Sequence, residues 1–192
     1  MELCDYALAQ EIGVSCENPQ KAGLRNKGYL MNYDDIDWDT LAQTDNVVTK
    51  LALLKSRAFP VVVPGKTPFT GTQVALTAGT YLNKFTKTAA IVVLNSGPDV
   101  SKNIIDQLAN GRFVFIFENK YAGTDGKNTF EIYGLEQGLV ASEMTNDKYS
   151  EDTDGGWAVT LVEENAPSSG IFFFTESLTA TRAALKSLET GT

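Results

Sequence analysis

The chain has 192 residues, of which 43% are hydrophobic and 21% charged, the size and composition of one compact domain. Its formal net charge is −8, so the electrostatic field of the whole chain opposes tight binding to DNA or to an anionic membrane. There is no histidine, which excludes Ser-His-Asp and Cys-His catalysis and any His-ligated metal.

The cysteine content and the first residues of the chain bear on metal binding and on the cellular compartment. Cys4 and Cys16 are too few for the four thiolates of a structural zinc or iron–sulfur site, and whether they pair with each other stays open. No signal-peptide pattern is present, and no apolar run approaches the roughly twenty residues that span a bilayer. We therefore expect a cytosolic product with reduced thiols, no membrane segment, no metal and no cofactor.

Residues 15–45, rich in Asn, Asp and Gly, predict an extended arm or loop. An acidic cluster lies in this region, but an EF-hand loop starting at Asp35 would need glycine in place of Thr40 and glutamate in place of Asn46. The cluster, which consists of Asp34, Asp35, Asp37 and Asp39, therefore indicates a solvated, N-capping acidic turn ahead of Trp38 and Leu41 rather than a calcium site.

Two strands are expected next, at 47–54 and at 58–63, the second interrupted by Pro60. The sequence Gly65-Lys66-Thr67 matches the last three residues of the phosphate-binding loop motif. However, Pro60 occupies the position of the first glycine of that motif, and no helix is predicted after it. It predicts an ordinary loop.

A strand–helix–strand unit follows. Ala89–Leu94 and Arg112–Phe117 are short apolar runs that predict buried strands. Between them, turn residues lead into an apolar stripe at helical spacing that ends at Asn110-Gly111. The stripe consists of Val100, Ile104, Ile105 and Leu108.

Further strands are predicted after this unit. Asp125-Gly126 marks a hairpin that leads into Thr129–Tyr133, and another strand is expected over Gly138–Met144. The polar segment 145–156 is long for a hairpin loop, which suggests a functional role. Alternating polarity then predicts a strand over Trp157–Val162, with Trp157 packing into the core.

The chain ends with a strand and a helix. Ile171–Phe174 is apolar on both faces, which favours a central strand over one covered by a partner subunit. Ser177 is placed to cap a helix whose apolar face carries Leu178, Thr181, Leu185 and Leu188. Residues 1–192 are thus predicted to form a single mainly β domain, a sandwich or partly open barrel, with one flanking helix and a C-terminal helix.

From Thr86 to Phe174 the order of these pieces resembles the tail-tube family of long-tailed bacteriophages and the related tube and connector proteins of contractile machines. The stretch Phe130–Leu139, with its Gly-x-x-x-Gly-Leu turn, is similar to phage structural sequences. The other matching features are the unit Ala89–Phe117, the turn Asp125-Gly126, the segment Thr145–Gly156 and the strand from Trp157. The resemblance implies a tail-tube-like β-sandwich with a helix on its flank, whose copies close into a hexameric ring.

For function, the resemblance implies a structural virion component, a tail-tube or tail-neck ring subunit rather than an enzyme. Such a subunit is made in the host bacterial cytoplasm and binds copies of itself and neighbouring virion proteins. DNA passes through the ring as non-specific cargo, which suits an acidic subunit.

We expect the contacts between copies on the arm and on the polar loop. Tyr and Trp bury a large area for few ordered torsions, so Trp38 and Tyr149, with Lys148, are the expected anchors. The full predicted interface set is Trp38, Asp147, Lys148, Tyr149, Ser150, Glu151 and Asp152.

Two other functions stay open. The first is a monomeric carbohydrate-binding module in which Trp38, Trp157 or Tyr149 stacks on sugar rings. The second is a glycosidase that uses the carboxylates of Glu151, Asp152 and Asp154, but the sequence does not show the carboxylate spacing that this mechanism needs.

Overall fold

The computed structural model describes residues 7–13, 15–63 and 65–191, and in these residues eleven strands form two sheets. The seven-stranded sheet contains, in spatial order, β2 (Ala42–Thr44), β3 (Val47–Lys50), β11 (Ile171–Phe173), β8 (Phe130–Tyr133), β7 (Phe113–Asn119), β1 (Leu24–Asn32) and β4 (Phe59–Val62). The four-stranded sheet contains β5 (Phe69–Thr77), β6 (Lys84–Val93), β10 (Trp157–Ala166) and β9 (Val140–Asn146). All neighbours are antiparallel except β3 and β11.

Helical segments join and cover the sheets. A 3-10 turn, Tyr33–Asp35, follows β1. Between β6 and β7 the chain forms α1 (Pro98–Val100), a π-helical turn at Ser101–Ile105 and α2 (Asp106–Asn110). The C-terminal helix is α3 (Leu178–Thr190).

The large sheet is buried on both faces, and β7 shows why. Its residues Phe113 to Phe117 are all buried, and successive side chains point to opposite faces. Phe115 and Phe117 face the small sheet and pack in one core with Ala89, Ile91, Val159 and Leu161. Val114 and Ile116 belong to a second core on the other face, which α3 covers through Leu185.

The predicted C-terminal helix is confirmed in its cap and in its buried face. The Ser177 hydroxyl accepts a hydrogen bond from the Ala180 N–H at 3.1 Å, which satisfies one of the free donors of the first turn. Thr181 and Leu185 are buried, and Leu178 and Leu188 pack against the same core. Gly191 ends the helix in the left-handed conformation.

The mainly β fold with a C-terminal and a flanking helix is confirmed, and the sandwich is the right alternative because neither sheet closes into a barrel. The hairpin at Asp125-Gly126 joins β7 to β8, and β11 lies inside the large sheet between β3 and β8. In the strand–helix–strand unit, β6 and β7 lie in different sheets, so the helical segment links the two layers.

Three predicted boundaries were wrong. The arm over 15–45 was wrong from Leu24 onward, because β1 is an interior strand paired with both β4 and β7. The first half of β1, Leu24–Lys27, is mostly polar. For this reason the sequence pattern did not reveal that Leu30 and Met31 are buried. Strand β3 ends at Lys50 rather than at 54, and β9 continues to Asn146, so the polar loop covers 147–156.

Candidate functional site

An open apolar groove of about 660 Å³ lies between the edge strand β4, the end of β6 and the helical segment Pro98–Asn110. Among the residues that the structure describes, none that lines the groove is charged. Its polar groups are the side-chain amides of Asn32, Asn95, Asn103 and Gln107. A groove of this chemistry suits an apolar or peptide-like ligand rather than an ion.

Strand β4 forms one wall of the groove because it is the last strand of the large sheet. It pairs with β1 on one side, and among the described strands none pairs with its other edge. Pro60 lies in β4, and proline is tolerated in an edge strand because it has no backbone N–H to donate. The missing N–H also limits the number of hydrogen bonds that an added strand can form with β4. Phe59 and Val62 are 43% and 49% exposed, so apolar side chains accompany the open edge.

The helical wall contains a π-turn that changes which side chains are buried. The Asp106 N–H donates to the Ser101 carbonyl, a hydrogen bond one residue longer than that of an α-helix. Ile105 and Leu108 are buried as predicted, but Ile104 is 40% exposed and lines the groove. The predicted stripe is therefore wrong for Ile104, because regular helical spacing does not hold across the π-turn.

The polar loop 147–156 is a compact turn rather than an open excursion. The side-chain amide of Asn146 donates to the carbonyls of Gly155 at 3.0 Å and Gly156 at 2.7 Å, so the two ends of the loop are held together. Within the loop, the Ser150 N–H donates to the Asp147 carbonyl. The loop also adjoins the groove, because a Cβ on Gly156 would lie 2.5 Å from the carbonyl oxygen of Val93, a lining residue.

The predicted interface residues of this loop are on the surface. Asp147, Lys148, Tyr149, Glu151 and Asp152 are exposed and Ser150 is half-buried. Tyr149 is 95% exposed, which leaves its ring available to another molecule. Thr153 is buried at the base of the loop.

Trp38 lies in a different part of the surface. Its ring is 5.2 Å from the ring of Tyr33 and 44% of the residue is exposed. The guanidinium group of Arg112 lies over the same Tyr33 ring, 4.6 Å from its centre. In the described part of the chain, no ring contact joins Trp38 to Tyr149 or to Trp157, so the three aromatic residues do not form one platform. Trp157 packs against the core between the sheets, as predicted.

The acidic cluster near Trp38 is engaged by the protein itself. The Asp35 carboxylate accepts the N–H groups of Ser56 at 2.6 Å and Lys55 at 3.0 Å. Hydrogen bonds from Ser56 and Lys55 hold the pKa of Asp35 below its ordinary value. Asp37 accepts the Thr40 N–H, as the predicted N-capping turn requires, but Asp35 is bound by the chain rather than solvated as predicted. Across residues 7–13, 15–63 and 65–191, no three metal-ligating side chains group together.

A buried charge cluster connects the small sheet to the turn between β8 and β9. Lys87 of β6 and Glu163 of β10 are cross-strand partners, and both side chains are 0% exposed. The Lys87 ammonium lies 3.0 Å from Glu136 and 3.6 Å from Glu163. Because each charge has a partner, the cluster avoids the large cost of an isolated buried charge.

Glu163 also holds the chain segment that crosses from the large sheet to the small one. Its carboxylate accepts the N–H groups of Gly134 at 2.8 Å, Glu136 at 3.0 Å and Gln137 at 2.8 Å. This turn is the Gly-x-x-x-Gly-Leu segment noted in the sequence. Its glycines are required, because φ is +85° at Gly134 and a Cβ there would lie 2.3 Å from the Phe113 carbonyl oxygen.

Glu131 lies near this cluster in a different environment. Burial raises the pKa of Glu131, and a hydrogen bond from the Asn119 amide and the charge of Lys87 oppose that rise only in part. Burial also raises the pKa of the neighbouring Tyr133 hydroxyl, and the Glu131 carboxylate adds to the effect.

Sequence reasoning missed the groove and the buried charges. The groove has no local signal, because β4, β6 and the helical segment meet only in the fold. The buried charges did have a sequence signal. Val159, Leu161 and Glu163 occupy alternate positions of one strand, so Glu163 lies at a core-facing position.

Two general findings complete the description. Within the described ranges, no helix is both long enough and apolar enough to cross a bilayer. Comparisons with protein-family models, with curated proteins and with solved structures found no match to this chain.

Proposed function

We propose that this protein is a structural subunit that assembles with copies of itself into a ring or tube, as a tail-tube or tail-neck component of a bacteriophage virion. The observation that carries the proposal is the uncharged apolar groove beside the open edge of β4. Large apolar surfaces next to an open sheet edge are characteristic of sites that bind another protein chain.

Exposed apolar and aromatic side chains at other points of the surface support the proposal. Tyr149 in the polar loop is 95% exposed, and Tyr81 in the connection between β5 and β6 is 96% exposed. Leu76 on the edge strand β5 is 61% exposed. A subunit that contacts neighbours on several sides needs several such points.

The arrangement of the acidic residues favours a structural role over glycoside hydrolysis. Glu151, Asp152 and Asp154 are exposed in the polar loop. A general acid of a glycosidase needs an environment that raises its pKa, and an exposed loop does not supply the required burial.

The proposed assembly is a hexameric ring of identical copies, and the ring contacts other virion proteins. The net charge of −8, repeated around the ring, favours free passage of DNA over binding. The subunit is made in the bacterial cytoplasm and acts in the virion.

A carbohydrate-binding module is the second candidate, and the exposed Trp38 beside Tyr33 is the observation that favours it. It predicts a monomer whose tryptophan fluorescence changes on titration with oligosaccharides. The self-assembly proposal predicts no such change.

Light scattering after size exclusion, over a hundredfold range of concentration and with negative-stain images of each peak, tests the proposal. Rings, discs or tubes support it. A monomer at every concentration, combined with saturable quenching by a sugar, would replace it with the binding module.

A further inference from the structure

We infer that the apolar groove beside β4 binds the N-terminal arm of a second copy of this chain. The arm consists of residues 7–13 and 15–23, which precede β1. This inference rests on the proposed self-assembly and names the two surfaces that make the contact.

The arm is an exposed segment that carries apolar side chains. Its described residues are exposed apart from the half-buried Asn18, and they form no helix or strand. Leu8 and Ile12 are 83% and 92% exposed. In an extended chain, residues separated by an even number point to the same side, so both side chains can enter one groove together.

The chemistry of the groove matches that of an extended peptide. The apolar floor accepts side chains such as Leu8 and Ile12. The amides of Asn95, Asn103 and Gln107 can both donate to and accept from a peptide backbone. A charged ligand would lose its hydration without gaining an ion pair from the described lining residues, because none of them is charged.

The positions of the two surfaces favour a contact between copies over a contact within one copy. Strand β1 runs from Leu24 toward the groove, which it lines with Leu30, Met31 and Asn32. The arm leaves from the opposite end of β1, roughly 27 Å away. There the Lys120 N–H donates to the Gly23 carbonyl, which extends the β1–β7 pairing to the base of the arm and fixes that base at the end of β1 far from the groove.

An arm at one end and a groove at the other make a head-to-tail contact. Repetition of such a contact closes into a ring when the rotation between copies allows it and otherwise extends into a filament. A fully extended chain with the length of this segment reaches at most about 55 Å, enough to cross a neighbouring domain of this size. The contact thus supplies the assembly that the proposed function requires.

Complementation between two variants tests the inference most directly. Leu8→Asp with Ile12→Asp removes the arm contact, and Val62→Asp places a charge in the groove. The control is Val140→Asp on the edge strand β9, since Val140 is 43% exposed against 49% for Val62 and does not line the groove.

We expect each of the two variants alone to require at least a tenfold higher concentration to assemble, whereas the Val140→Asp control assembles as the original chain does. Mixing the arm variant with the groove variant should give a 1:1 dimer that does not extend, because only one intact arm and one intact groove remain. Circular dichroism checks that each variant is folded.

Cross-linking identifies the contact itself. In a Cys4→Ser background, the exposed Cys16 of the arm is the only native thiol, and Ile104→Cys adds a thiol on the rim of the groove. A short bismaleimide should then produce covalent dimers and longer chains, while Val140→Cys in place of Ile104→Cys should not. A cross-link within one chain would overturn the assignment to a second copy.

The failure of this inference differs from the failure of the proposed function. If the original chain forms rings or tubes and the arm and groove variants assemble equally well, the arm–groove contact is wrong and self-assembly stands. If the original chain remains monomeric at every concentration and the Ile104→Cys variant gives no cross-linked dimer, both are wrong.

Discussion

Lys87 and Glu163 face each other across β6 and β10, and neither side chain has any exposed surface. Through Glu163 this pair also binds three backbone N–H groups of the turn between β8 and β9. The pair therefore links two of the four strands of the small sheet, β6 and β10, to the segment that arrives from the large sheet. We interpret it as the polar contact that sets how the two sheets are joined.

Removal of the Lys87 charge should destabilise the fold strongly. Lys87→Met leaves the buried Glu163 carboxylate without its cation, and the loss of one partner of a buried pair costs about 3–5 kcal/mol. Urea unfolding measures the change in the free energy of unfolding. Lys84→Met, on the half-buried first residue of the same strand, is the control and should change stability by no more than about 0.5 kcal/mol. Equal effects of the two variants would contradict the role of Lys87.

Glu163→Gln probes the same pair from the other side. The amide keeps the shape of the side chain but presents an NH₂ group to N–H donors that now bind a carboxylate oxygen. We expect a loss of stability, and we expect the double variant with Lys87→Met to lose less than the sum of the two single changes. Additive losses would mean that the two residues act independently.

Glu131 should make the protein less stable as the pH rises. Its pKa is raised above the ordinary value of 4.5, so the folded state binds the proton more tightly than the unfolded state does. The stability contributed by the protonated group is complete below the unfolded pKa and is lost as the pH rises through the folded one. Glu131→Gln should therefore gain stability relative to the original chain between pH 4 and pH 7. A stability difference that stays constant with pH would contradict this.

Asp35 should show the opposite dependence. Its pKa is lowered from 3.8 by the hydrogen bonds that it accepts, so its contribution to stability is present above that value and is lost as the pH falls through the folded pKa. Asp35→Asn should be less stable than the original chain at pH 6, and the difference should shrink below pH 4. Chemical unfolding at a series of pH values measures it. Asp39→Asn, at an exposed neighbouring carboxylate, is the matched control.

Deletion of residues 147–154 should leave a folded chain that no longer assembles. The side chain of Asn146 already binds the carbonyls of Gly155 and Gly156, so the ends left by the deletion lie close together. Thermal unfolding followed by circular dichroism checks the fold, and light scattering measures assembly. Tyr149→Ser, at an almost fully exposed ring, tests the loop without shortening it. Ring formation by the deletion variant would remove the loop from the interface.

Local sequence patterns predicted the elements in which one residue type dominates. The apolar run at Phe113–Phe117 and the capped, amphipathic helix after Ser177 both follow from short-range physics, since burial on two faces or on one stripe is written into consecutive residues. The π-turn was not predictable in this way, because the side chains around Ile104 fit a regular helix equally well.

For the candidate site, the sequence by itself determined the exposed polar loop and its Tyr149, together with the absence of histidine chemistry. The position of β1 inside the large sheet, the pairing of Lys87 with Glu163 and the groove beside β4 were decided only by the tertiary structure. Each of these features joins residues far apart in the chain, so its energy depends on contacts that no local pattern contains.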